Sequence, residues 1–111
     1  MQNVEIIGNL TADPELREAD GKAVCNFTVA CDTFLGENRK RTDYFRVTAW
    51  RKLAESCFKH LKKGWSAAVV GDVTCHAYMS RNGEPMACMD LKANAVKFLG
   101  APATDYDDLP L

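Results

Sequence analysis

The sequence has little of what marks a membrane protein, a secreted scaffold or an enzyme. No run approaches the roughly 18 apolar residues that a membrane-crossing helix requires. The segment Met1 to Gly8 lacks the basic flank and apolar core of a signal peptide, so the expected location is the cytoplasm. Five cysteines are present, but the count is odd and no Cys-x-x-Cys spacing occurs. Neither a disulfide framework nor a structural zinc site is therefore expected. Cys25 and Cys31 share one extended run, roughly 20 Å apart at strand rise, too far to pair within it. Cys25, Cys31, Cys57, Cys75 and Cys88 read as buried reduced thiols. The histidines, His60 and His76, make no ligand set of familiar spacing with Cys75 and Cys88. No Ser-His-Asp arrangement, glycine-rich phosphate loop or strand-end carboxylate pair is present. No catalytic residue, metal or cofactor is expected.

Charge of one sign is also lacking, since the formal net charge is −1. Its distribution is more informative. All 14 Lys and Arg lie within residues 1–100, whereas Asp105, Asp107 and Asp108 crowd the end.

The stretch Thr42 to Gly64 is the most patterned. Tyr44, Arg46, Thr48 and Trp50 alternate with Phe45, Val47 and Ala49, so an extended strand sends an apolar set to one face and an aromatic, basic set to the other. Leu53, Ala54, Cys57, Phe58 and Leu61 then follow helical spacing and predict one apolar stripe, with Gly64 as its C-terminal cap.

Around this stretch, Asn3 to Gly8 predicts a first strand that resumes at Leu16, and Asp20-Gly21 a tight turn. Ala23 to Cys31 predicts a second strand. Phe34 to Arg41 reads as a polar loop carrying Arg39, Lys40 and Arg41, which beside Phe34 form an electrostatic funnel. Ala67 to Thr74 predicts a strand broken by Gly71. Asn82-Gly83 predicts a turn, and Met86 to Leu91 and Asn94 to Leu99 complete the extended runs. The expected fold is mainly β, a five-stranded Greek-key OB-fold barrel with one α-helix between strands 3 and 4. Residues 1–100 form the domain, and 101–111 a short disordered acidic tail.

Ile6-Ile-Gly-Asn-Leu-Thr-Ala-Asp-Pro-Glu-Leu-Arg resembles the opening of bacterial-type single-stranded-DNA-binding proteins. So do Ala23 to Ala30, Asp43 to Glu55, Leu61-Lys-Lys-Gly and Val96-Lys-Phe-Leu-Gly, and Asp107-Asp-Leu-Pro-Leu is similar to the family's tail tip. The resemblance implies an oligonucleotide-binding barrel that coats single-stranded DNA with little sequence preference in replication, recombination and repair. It implies a homo-oligomer, a tetramer before a dimer, in the nucleoid. Phe34, Tyr44, Trp50 and Tyr78 match base-stacking positions, and Arg46, Lys52 and Lys63 match backbone-contacting ones. Asp105, Asp107, Asp108, Leu109, Pro110 and Leu111 would dock replication, recombination and repair proteins. An adaptor with weak nucleic-acid binding and a single-stranded RNA binder are the alternatives, because no residue here separates ribose from deoxyribose.

Overall fold

Alternation of apolar and polar residues keeps most of the chain extended. The computed structural model describes residues 1–102, which form six strands and one helix. β1 spans Val4–Leu10, β2 Glu15–Ala19, β3 Lys22–Gly36, β4 Arg39–Trp50, β5 Ser66–Met79 and β6 Pro85–Gly100, while α1 spans Arg51–His60. Sheet neighbours run β1-β5-β6-β4-β3-β2, and β1 pairs with β3 as well. The pairings β1–β5–β6–β4–β3–β1 thus close a circuit. They are antiparallel except β4 with β6, which run parallel from Phe45 beside Met89 to Thr48 beside Lys92.

The helix lies between β4 and β5, not between the third and fourth strands, because Glu15–Ala19 is a strand of its own. β2 follows β1 along the same edge of β3. Leu10 faces Val29, and Glu15 then faces Asn26. Asp20 and Gly21 both take positive φ, 52° and 76°, as the Asp-Gly turn predicts.

Three further expectations are corrected. The Phe34–Arg41 segment is not a loop: β3 runs to Gly36 and β4 starts at Arg39, and Glu37 and Asn38 turn between them with positive φ. Gly71 does not break its strand, since β5 continues to Met79. Met86–Leu91 and Asn94–Leu99 are one strand, β6, with a bulge. Gly71 pairs with Ala93 and Val70 with Ala95, which leaves Asn94 over. That extra residue switches the inward set from Leu91 and Ala93 to Val96 and Phe98, and so interrupts the alternation visible in sequence.

Ile6, Leu10, Cys25, Phe27, Val29, Val47, Val69 and Leu91 fill the core, and α1 adds Ala54 and Cys57 as it packs chiefly on β3. The chain turns from β4 into α1 at Arg51, whose φ of 60° is left-handed, at a cost of about 1–2 kcal/mol. Leu61, 2% exposed, caps the helix in place of Gly64. Gly64 lies in the following turn, and its N–H donates to the Leu10 carbonyl at 2.8 Å. Phe58, expected on the buried stripe, stays 48% exposed.

Only some thiols are buried as expected. Cys25 and Cys57 are fully covered, Cys31 and Cys88 partly, and Cys75 is exposed. Burial pushes the Cys25 thiol up to about 11 and the Cys57 thiol up to about 12. Burial, then Asp43 and Asp32, raises Cys31 too. For a raised thiol the protonated form is the one the fold prefers. That contribution is complete below the ordinary value of 9.0 and is lost as pH rises through about 11 to about 12. At neutral pH a thiol reagent should modify Cys75 at once and reach Cys25 and Cys57 only on unfolding. Mass mapping of the labelled chain checks this, and early labelling of Cys57 would contradict it.

A Cβ on Gly8 would stand 2.2 Å from the Ala30 oxygen, and one on Gly71 1.9 Å from the Lys92 oxygen. Backbone cannot step aside as a side-chain end can. Gly8→Ala or Gly71→Ala should therefore cost about 3 kcal/mol or more in urea unfolding. Gly83→Ala, strained by its φ of +78° but with nothing within 4 Å, should cost only about 1–2 kcal/mol. Equal losses at all three would show that close approach is not the constraint.

Candidate nucleic-acid interface

β4 divides its side chains as its sequence predicts. Val47 and Ala49 are buried and Phe45 is partly so, while Tyr44, Arg46 and Trp50 point to solvent. The register extends this outer face across the neighbouring strands. Thr28 and Ala30 of β3 sit opposite Arg46 and Tyr44, and Asp90 and Lys92 of β6 lie beside Arg46 and Thr48. On β5, His76 and Tyr78 sit opposite Cys88 and Met86. Phe34, paired with Lys40, carries the face along the β3–β4 arm. The four aromatics expected to stack bases are all accessible, with Phe34 79%, Tyr44 57%, Tyr78 46% and Trp50 37% exposed.

Arg46, His76 and Lys40 of this face each have a carboxylate neighbour. Arg46 Nε stands 3.0 Å from Asp90 Oδ1, and His76 Nδ1 stands 3.1 Å from Asp90 Oδ2. Lys40 Nζ is 3.8 Å from Asp32. Arg17 Nε donates to Asn26 Oδ1 at 3.1 Å, and Asn26 Nδ2 donates to Thr48 Oγ1 at 2.9 Å. The Arg46–Asp90 and Lys40–Asp32 ion pairs are substantially exposed, so each contributes about 0–1 kcal/mol and can yield to a phosphate. Arg46 borders an open polar groove with Thr11, Thr28, Thr48 and Asp90.

The consecutive bases of the β3–β4 arm do not share one side of it. Lys40 shares the side of Phe34 and Tyr44, while Arg39 and Arg41 alternate to the other side, where Arg41 pairs with Asp43 at 3.0 Å. Lys52 is exposed on α1. Lys63 is exposed in the turn after it, and its backbone N–H donates to Asp13 Oδ1 at 2.8 Å. Neither stands on a strand of the aromatic face. The expected tail residues Asp105, Asp107, Asp108, Leu109, Pro110 and Leu111 lie outside the described residues.

Sequence reasoning passed over Lys22, Arg51 and Lys92, which line a recess beside Trp50. Lys92 reaches it through the parallel β4–β6 pairing, which no local pattern signals. Arg51 had a signal in simply following Trp50. Cys75, His76, Cys88 and His60 are not assembled into one site. The His60 ring lies 5.2 Å from that of Phe98, and Cys75, opposite Met89, alternates away from His76.

Closed strand pairing and an aromatic, basic outer face define a β-sheet module suited to an extended, charged chain. Residues 1–99 match the single-strand binding protein family, and the chain belongs to that family. It is 36% identical over 105 residues to the single-stranded DNA-binding protein of Neisseria meningitidis serogroup A, covering 90% of this chain and 60% of that protein. It is 38% identical over 119 residues to single-stranded DNA-binding protein 2 of Listeria monocytogenes, covering 97% of this chain and 74% of that one. With single-stranded DNA-binding protein 2 of Chlorobaculum tepidum it shares 32% over 114 residues, 97% of this chain and 77% of that protein. The chain thus spans well under the full length of these relatives. No helix among the described residues is long and apolar enough to cross a membrane.

Proposed function

We propose that this protein binds single-stranded DNA without sequence preference and is not an enzyme. The observation that carries the reading is the placing of Tyr44, Arg46 and Trp50 on one exposed strand face continuous with β6 and β5. Every base offers a π-face and every nucleotide a phosphate, so stacking aromatics interleaved with cations bind any sequence. Family membership and the names of the relatives support it. In this reading the strand circuit is a Greek-key OB-fold barrel, with residues 1–100 as the binding domain. Phe34 and Tyr78 extend the stacking path along the two hairpin arms, and Lys40, Arg46 and Lys92 meet phosphates. Arg39, Arg41, Lys52 and Lys63 contact the strand where it leaves the sheet face. The protein acts as a homo-oligomer, a tetramer before a dimer, in the cytoplasm during replication, recombination and repair. The acidic tail recruits partner enzymes of those processes.

Titration with labelled dT and U oligomers at two salt concentrations tests the binding reading. Trp50→Ala should weaken dT binding by about 1–3 kcal/mol with an unchanged melting temperature. The logarithm of affinity should fall with log salt at about −0.7 per phosphate engaged. Unchanged affinity in Trp50→Ala would misassign the face, and preference for U would make the protein an RNA binder. Absence of measurable affinity for either would leave the adaptor.

The tail yields a separate expectation. Three aspartates beside Tyr106, Leu109 and Leu111 combine charge with apolar anchors, which suits a basic, apolar pocket on a partner. They also compete with DNA for the protein's own cations. Deleting residues 105–111 should leave DNA affinity equal or raise it, most at low salt where charges are least screened. The same deletion should abolish capture of purified replication or recombination enzymes. Weaker DNA binding, or undiminished capture, would overturn the tail's role.

A further inference from the structure

We propose that His76, Cys88 and Asp90 form a binding site for a borderline-soft divalent cation, with Zn²⁺ the best fit. The antiparallel register sets His76 directly opposite Cys88, and Asp90 follows two residues on, on the same face of β6. Their ligand atoms all lie within 4.8 Å of one another. His76 Nδ1 is 3.1 Å from Asp90 Oδ2, and Cys88 Sγ is 3.7 Å from Asp90 Oδ1. A tetrahedral ion with bonds of about 2.0 Å to nitrogen and oxygen and about 2.3 Å to sulfur sets such ligand atoms about 3.3–3.5 Å apart. The His76 and Cys88 ligand atoms already stand close to that spacing from the Asp90 carboxylate before any ion enters.

The donor set makes the choice of cation. One imidazole, one thiolate and one carboxylate suit Zn²⁺, whereas Mg²⁺ and Ca²⁺ seek oxygen alone. Arg46 Nε holds Asp90 Oδ1 at 3.0 Å, and a hydrogen bond to a ligating carboxylate is the usual outer support of a metal site. His76 and Asp90 are partly exposed, which gives the ion a path in. Three protein ligands leave a fourth position for water. Binding releases one proton, that of the Cys88 thiol, as the sulfur–metal bond forms. No linear motif announces the site, because its histidine and its cysteine come from the two arms of a hairpin.

The test uses the reduced, chelator-treated full chain titrated with Co²⁺ and then Zn²⁺, with no nucleic acid present. Its outcome is therefore independent of the DNA-binding reading. Co²⁺ should bind at one equivalent per chain with a thiolate-to-cobalt charge-transfer band and the absorption of tetrahedral cobalt, both removed by Zn²⁺. Cys88→Ser should lose the charge-transfer band, and His76→Ala and Asp90→Asn should each weaken Zn²⁺ binding at least about tenfold. Cys75→Ser should keep band and affinity, and circular dichroism verifies that each variant is folded. The proposal is overturned if the band survives Cys88→Ser, if Cys75→Ser abolishes it, or if no stoichiometric binding occurs.

Discussion

Two carbonyl oxygens, of Ala30 and Lys92, stand where a side chain would begin on Gly8 and Gly71. At Gly8, β1 is still paired with β5 and is about to take β3 as a second neighbour, so three backbones crowd one point. A Cβ there would push β1 off β3 and leave unpaired N–H and C=O groups along the exposed edge. At Gly71 the same closeness admits the bulge at Asn94. Unbroken alternation would carry Ala95 and Lys97 inward after Leu91 and Ala93. The bulge sends Val96 and Phe98 there instead, and the Lys97 ammonium stays in water. The closed pairing, and the face it carries outside, depend on an atom missing at two positions.

β4 was legible in the sequence because its alternation is strict and its two faces differ in chemistry. The Asp20-Gly21 turn was legible because that pair tolerates positive φ. β6 was not, since a bulge reverses the phase of alternation midway, and a reader of periodicity divides it at Asn94. The β3–β4 arm was hidden by its composition. Glu37-Asn38 lacks a hairpin signature, and Arg39, Lys40 and Arg41 look like loop although they pair along β3. β2 was absorbed into β1 because it continues along the same edge of the same neighbour.

Arg46 and Lys40 were legible in the sequence as site cations, and their partners were not. Arg46 and Asp90 are 44 residues apart, and only the parallel β4–β6 pairing brings them together. This pairing changes the physics of the face. Local sequence shows a basic strand; the assembled sheet shows Arg46 and Lys40 each held by a carboxylate.

Prior pairing bears on which forces dominate in the proposed function. A phosphate reaching Arg46 must displace Asp90, and the net gain is the difference between two exposed ion pairs, each worth about 0–1 kcal/mol. Stacking meets no such competitor, because the exposed faces of Tyr44 and Trp50 have only water to lose, and each stacked base contributes about 1–3 kcal/mol. Affinity should therefore follow the aromatics, and the charges should chiefly set the path of the strand and its sensitivity to salt. The carboxylates also guard against indiscriminate attraction: Asp32 and Asp90 keep Lys40 and Arg46 from presenting bare charge to any polyanion. A duplex offers phosphates but few accessible base faces, so it has little to exchange for breaking those pairs. In the proposed function, discrimination between single and double strands would follow from pairing Lys40 and Arg46 and leaving the rings free.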